Sequence, residues 1–155
     1  MAVIPGPVVK NTSVAYPDSA GDVVANRYEM TIPAASSTAD IYEIGSIPPN
    51  CRVINMFADV QASLGAAGCV FNVGVMSGVP GAAVNPDNSA RTCGSEFFSG
   101  LAASAAAPGA VTPMSAVTGF RVTPVAYERS IGIQFTTRGS GTAGLVALVT
   151  TLATT

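Results

Sequence analysis

Chemistry in a folded chain begins with groups that can hold, donate or accept a proton, and this sequence has few of them. Its 155 residues include no His, which removes the commonest general base, the usual nucleophilic triad and most transition-metal sites together. Lys10 is the only lysine. It stands in a proline-rich stretch with nothing to desolvate it, so it does not read as a Schiff-base amine. The acids are Asp18, Asp22, Asp40, Asp59 and Asp87 with Glu29, Glu43, Glu96 and Glu128. A glycosidase pair needs two carboxylates at a fixed separation in a cleft that grips a sugar. With no Trp and only 4 Tyr, these acids are expected on solvated strand faces or as loop caps.

The remaining candidates weaken on the same terms. Cys51, Cys69 and Cys93 are odd in number and show no CxxC spacing, which speaks against a disulfide framework or a zinc site and suits a reducing cytosol. Without a neighbouring base or cation to form a thiolate, they read as small packing residues. The stretch NPDNS, residues 85–89, offers Asp87 and backbone carbonyls to a calcium ion but lacks the ligand set of an EF-hand loop; an Asx or proline turn fits it better. The Gly-rich links GAAG and GSG match neither phosphate-binding pattern. No residue is assigned as catalytic, cofactor-binding or metal-ligating, and an enzyme is not expected.

Composition narrows the partners. The chain is 48% hydrophobic and only 10% charged, with mean hydropathy +0.45, against about 25% charged for a typical soluble domain. Such a chain is expected to assemble with others. The net charge is −2 and the seven Lys and Arg are scattered, so direct nucleic-acid binding is not expected. No apolar run reaches the roughly 18–20 residues of a spanning helix, so no membrane is expected. The start MAVIPGPVVKNTS is not built as a signal peptide, and the protein is expected to begin at or near Met1.

Strand periodicity fills most of the chain. Residues 1–24, with Pro5, Pro7 and Pro17, read as an extended arm, an irregular edge segment or a frayed terminus. Residues 25–155 read as a single β-sandwich domain. In RYEMTIP, Tyr28, Met30 and Ile32 share a face opposite Arg27, Glu29 and Thr31. ADIYEIGSI breaks alternation near Gly45, where a bulge is expected, and Pro48-Pro49-Asn50 turns the chain. In RVINMFADV, Ile54, Met56, Ala58 and Val60 are placed opposite Val53, Asn55, Phe57 and Asp59. The run CVFNVGVM follows a short Gly-rich link, so the two runs are expected to pair as a hairpin.

Residues 77–91 form a long loop, CGSEFFSGL a short strand, and Ala102 to Ala107 one helical turn stopped by Pro108 and Gly109. Ile131, Ile133 and Phe135 share a face, and the last strand is apolar on both faces, as in a central or interface strand. The fold class is all-β, an antiparallel β-sandwich of jelly-roll type with a Pro-rich N-terminal arm and long loops.

One stretch carries a family resemblance. In IYEIGSIPPNCRVINMFADVQASLGAAGCVFNVGVMSG, residues 41–78, a Gly-x-Ile-Pro step precedes a polar turn. An apolar strand then ends near Asp59, a Leu-Gly turn follows, and a strand closes in Val-Gly-Val-Met. This resembles small structural proteins of tailed-bacteriophage heads. The resemblance implies a capsid decoration or cement protein: a β-rich subunit on the outside of an assembled shell, partnered by the major capsid protein and by itself as a homodimer or homotrimer. It would be made in the host cytoplasm and reside on the virion. A head-tail connector, a tail protein or a carbohydrate- or host-binding module is the alternative; the last would draw on Tyr16, Tyr42 and Tyr127.

Overall fold

A computed structural model of the chain describes residues 1–6, 22–106, 111–114, 116–139 and 142–154. Lys10, Tyr16, Asp18, Pro7 and Pro17, and the helix-stopping Pro108 and Gly109, lie outside them. Nine strands occur among the described residues: β1 Val3–Pro5, β2 Val23–Ile32, β3 Ile41–Ile47, β4 Cys51–Val60, β5 Val70–Val75, β6 Phe98–Ala102, β7 Thr112–Pro113, β8 Arg129–Thr137 and β9 Gly144–Thr154. They form two sheets, ordered β1-β3-β8-β5-β6 and β2-β9-β4-β7. All pairings are antiparallel except the edge pair β1 and β3. The architecture is the expected β-sandwich.

The period-two readings explain which faces meet. Tyr28, Met30 and Ile32 are buried beside Val146, Leu148 and Leu152 of the neighbouring strand β9, and Ile131, Ile133 and Phe135 are buried from the facing sheet. The Tyr42 and Phe71 rings meet Phe135 edge-on, with centroids 6.1 and 5.7 Å away, a favoured aromatic geometry. The bulge falls where Gly45 suggested, with register shifting between Glu43 and Gly45. A β-carbon at Gly45 would lie 2.5 Å from the Tyr28 ring, so the bulge brings backbone directly onto an aromatic face.

Two expectations are corrected. The runs at β4 and β5 do not form a hairpin, because β4 pairs with β9 and β5 with β8, in opposite sheets. The link between them holds a short helix, Ala62–Ala66, whose Leu64 is fully buried in the core. A chain that plugs the end of the sandwich in this way arches from one sheet to the other instead of folding back on itself. Within β4, Val53 is in the core while Ile54 is partly exposed. The register shifts between Val53 and Asn55, and the Asn55 side-chain oxygen accepts the Met56 N–H at 2.8 Å. That bulge inverts the facing of the residues before it.

The N-terminal residues join the sandwich. Val3, Ile4 and Pro5 align with Ile41, Tyr42 and Glu43, and Val23 and Val24 already pair with Ala153 and Leu152. The expected helical turn is a 3-10 turn at Ala103–Ala106; a second spans Val117–Arg121. No helix among the described residues is long and apolar enough to cross a membrane.

Candidate functional site

Glu43, Gly132 and Gly74 stand in register across β3, β8 and β5, on the face turned away from the core. An outward glutamate on a strand should be solvated. Here Glu43 is fully buried, because residues 76–96 fold over this face as a third layer. The two glycines give the layer its room: a β-carbon at Gly132 would lie 2.6 Å from Met76 Cγ and 3.0 Å from Cys93 Sγ, and one at Gly74 would lie 2.3 Å from the Gly94 carbonyl carbon.

Arg91 locks the layer down. Its Nη2 donates to Glu43 Oε1 at 3.0 Å and to Ser130 Oγ at 3.1 Å. Its Nε donates to the Ser77 carbonyl at 2.6 Å, and its Nη1 to the Ala82 carbonyl at 2.8 Å. Glu43 also accepts the Ser130 hydroxyl, and the Gly81 N–H reaches both its oxygens at 3.1 Å. Neither ionic side chain is exposed. Removing two charges from water is expensive unless every donor and acceptor finds a partner. This pair is nearly saturated, and what it fixes is the path of the loop. The expectation that the carboxylates are solvated or cap loops therefore fails at Glu43, since the covering loop comes from residues far along the chain.

The loop so held forms one end of the sandwich. Gly78, Val79, Pro80, Pro86, Tyr127 and Glu128 line a cleft of ≈ 530 Å³. Tyr127 is 64% exposed, and Val79, Val84 and Val23 are also exposed there. The strand registers, with Ile47 beside Arg129 and Cys51 beside Thr154, put the turn 48–50 and the segment 123–128 at this same end. Just inside, Arg129 is buried, and its Nε and Nη2 have no hydrogen-bond partner among the described residues. Burial pushes its pKa down.

The residues singled out from sequence stay apart. Burial pushes the Cys93 thiol up to about 12 and also raises Cys51, which suits packing and opposes thiolate chemistry. Asp87 accepts the Ser89 N–H at 3.0 Å and its hydroxyl at 2.6 Å, an Asx turn whose hydrogen bonds hold the carboxyl below the usual range. Asp40 likewise caps a turn, accepting from Ser37 N at 3.0 Å, which lowers its pKa. Glu29 and Asp59 both reach Arg27, at 3.4 and 3.2 Å. Glu96 accepts the Val75 N–H at 2.9 Å. Among the described residues no three His, Cys, Asp or Glu side chains gather as a metal site. Of the tyrosines proposed for a sugar, Tyr42 is fully buried. Sequence reasoning missed the Glu43 and Arg91 pair. The signal was a lone Glu between Tyr42 and Ile44 in an otherwise uncharged strand.

No family model and no curated protein sequence matches the chain. Among solved structures, a chain from the capsid of Ralstonia phage GP4 is similar over 99% of both chains, with a TM-score of 0.80 and 30% identity. A chain from the capsid asymmetric unit of cyanophage Pam1 is similar over 92% of this chain and 94% of its own, with a TM-score of 0.60 and 18% identity, a likeness of fold alone.

Proposed function

The chain belongs to the capsid structural proteins of bacteriophages, and from that premise we propose that it is a decoration, or cement, protein seated on the outside of an assembled shell. Its partners are the major capsid protein and sister copies of itself. The strand orders β2-β9-β4-β7 and β3-β8-β5-β6 we read as a jelly roll, an architecture that recurs in viral capsid domains.

The observation that carries the reading is the cleft-bearing end of the sandwich. Val79, Val84 and Tyr127 stand exposed, the two valines on a loop whose backbone is held from beneath by Arg91 and Glu43. Holding apolar groups in water on a rigid loop makes sense where a partner covers them, since a preorganised contact loses little conformational entropy on docking. Tyr is a frequent anchor in such patches. Several weak contacts engaged at once by one oligomer on a repeating lattice add up through effective concentration.

Co-sedimentation tests this. The purified chain should saturate assembled shells of the cognate major capsid protein while leaving unassembled subunits in the supernatant. Equal binding to both forms, or to neither, contradicts a role on the finished shell.

A further inference from the structure

An edge strand with open backbone groups is a template on which another chain can pair. Of the four sheet edges among the described residues, three are blunted. In the first sheet, β1 has three residues and ends on Pro5, and β6 has five, with Gly100 at a φ of 65°. In the second, β7 has two residues and ends on Pro113, and the 3-10 turn Val117–Arg121 packs against β4. Short strands, proline and irregular backbone are the means by which proteins stop sheets from joining edge to edge.

The fourth edge lacks them. β2 runs for ten residues, Val23–Ile32, with β9 as its one strand neighbour among the described residues. Its register against β9 is continuous from end to end, so no bulge turns it aside, and it holds neither Pro nor Lys. At about 3.3 Å per residue this edge is roughly 30 Å long. Its two charged residues, Arg27 and Glu29, point away from the core with side chains 47% and 57% exposed, so both remain within reach of a partner.

The order of residues along the edge selects the partner. A two-fold axis perpendicular to the sheet sets β2 of one copy antiparallel to β2 of another and keeps outward side chains outward, provided that a residue on the axis faces its own counterpart. With Tyr28 on the axis, Arg27 of each copy stands opposite Glu29 of the other, and Val24 to Ile32 of both strands form the ladder. With Arg27 or Glu29 there, like charges stand opposite each other, which is destabilising. With Asn26 or Met30 there, neither charge meets an opposite one. Within the chain Arg27 reaches Glu29 at 3.4 Å and Asp59 at 3.2 Å, which gives Glu29 a single cationic partner among the described residues. Pairing about Tyr28 supplies a second, and four charges then alternate in sign around the axis.

We infer that two copies of the chain join through their β2 edges about this axis, merging their four-stranded sheets into one continuous sheet. Main-chain hydrogen bonds supply the affinity, as in other strand additions, and the charges fix the register. A self-complementary surface is what a two-fold interface requires. The contact uses a sheet edge and leaves the cleft to other partners, so it stands apart from the capsid role.

Sedimentation of the unaltered chain should show a dimer. Arg27→Glu and Glu29→Arg should each weaken self-association by about tenfold, because each sets like charges across the seam twice. An equimolar mixture of the two should dimerise again, and so should a chain carrying both substitutions; circular dichroism of each checks the fold. Register is read separately, with native charges. Ala25 of one copy is set opposite Thr31 of the other, so mixed Ala25→Cys and Thr31→Cys chains should join through a short bifunctional maleimide. Either variant alone, with its introduced cysteines about 20 Å apart across the axis, should not. A monomeric or trimeric unaltered chain, single charge variants that dimerise as tightly as the unaltered chain, a charge mixture that stays apart, or cysteine variants that join alone or fail to join when mixed overturns the inference. A dimer that binds no shells would overturn the capsid role and leave this interface standing, and a monomer that binds them would do the reverse.

Discussion

The Arg91 guanidinium lies 3.0 Å from the Glu43 carboxylate with neither side chain exposed to solvent, joining a loop to a strand 48 residues earlier in the chain. Removing one partner leaves a buried charge with nothing to balance it. Glu43→Gln or Arg91→Met should each destabilise the fold by about 3–5 kcal/mol in denaturant unfolding and expose the loop 77–91 to protease. Glu43→Leu combined with Arg91→Met should recover much of that loss, since a well-packed apolar pair often matches a buried ion pair. A double variant as unstable as either single one would show that the pair matters for more than balanced charge.

The glycines beneath the loop should differ in tolerance. A methyl at Gly132 meets the flexible Met76 side chain, whereas one at Gly74 meets the Gly94 backbone 2.3 Å away. Gly74→Ala should therefore cost more than Gly132→Ala, within the range of about 1–3 kcal/mol seen for overpacking. Thermal melts of the two variants give the order directly.

The sheets themselves were legible in the sequence because each strand's period of two survives in isolation, as Tyr28, Met30 and Ile32 show. The bulge at Gly45 announced itself by broken alternation. The β4 bulge did not, because Val53 and Ile54 are both apolar and either could face the core. The false hairpin had a similar cause: strand pairing depends on partners far away, and the link ASLGA carries turn-like glycine and helical propensity together. The buried ion pair was the least legible feature, since neither Glu43 nor Arg91 reveals its burial until residues 76–96 are known to cover the sheet.

Tyr28 links the core to pH. Burial pushes its phenol from 10.0 to about 12, while its hydroxyl donates to the Ser46 carbonyl at 2.9 Å. A raised folded pKa gives stability that is complete below the unfolded value and is lost as pH rises through the folded one. The protein should therefore lose stability between pH 10 and about 12, and Tyr28→Phe should flatten that part of the profile while lowering neutral stability by about 1–2 kcal/mol. Denaturant midpoints across the range provide the check.

Asp40 acts at the acid end. Its carboxylate accepts the Ser37 N–H and also the Ala2 N–H, at 3.0 and 3.3 Å, and the Ser37 bond is foremost in lowering its pKa. The resulting stability is present above the ordinary value of 3.8 and is lost as pH falls through the depressed one. The melting-temperature gap between the unaltered chain and Asp40→Ala should narrow on acidification below that value. A gap that stays constant would remove the carboxylate from the account.

The exposed end of the sandwich carries the central claim, and the rupture temperature of assembled shells tests it most directly. Shells saturated with the unaltered chain should rupture at a higher temperature than bare shells. Shells incubated with Tyr127→Ser combined with Val79→Ser should behave as bare, although those surface substitutions leave the free protein's stability within about 0.5 kcal/mol. Identical rupture temperatures for bare and saturated shells, or full protection by the double variant, would contradict it.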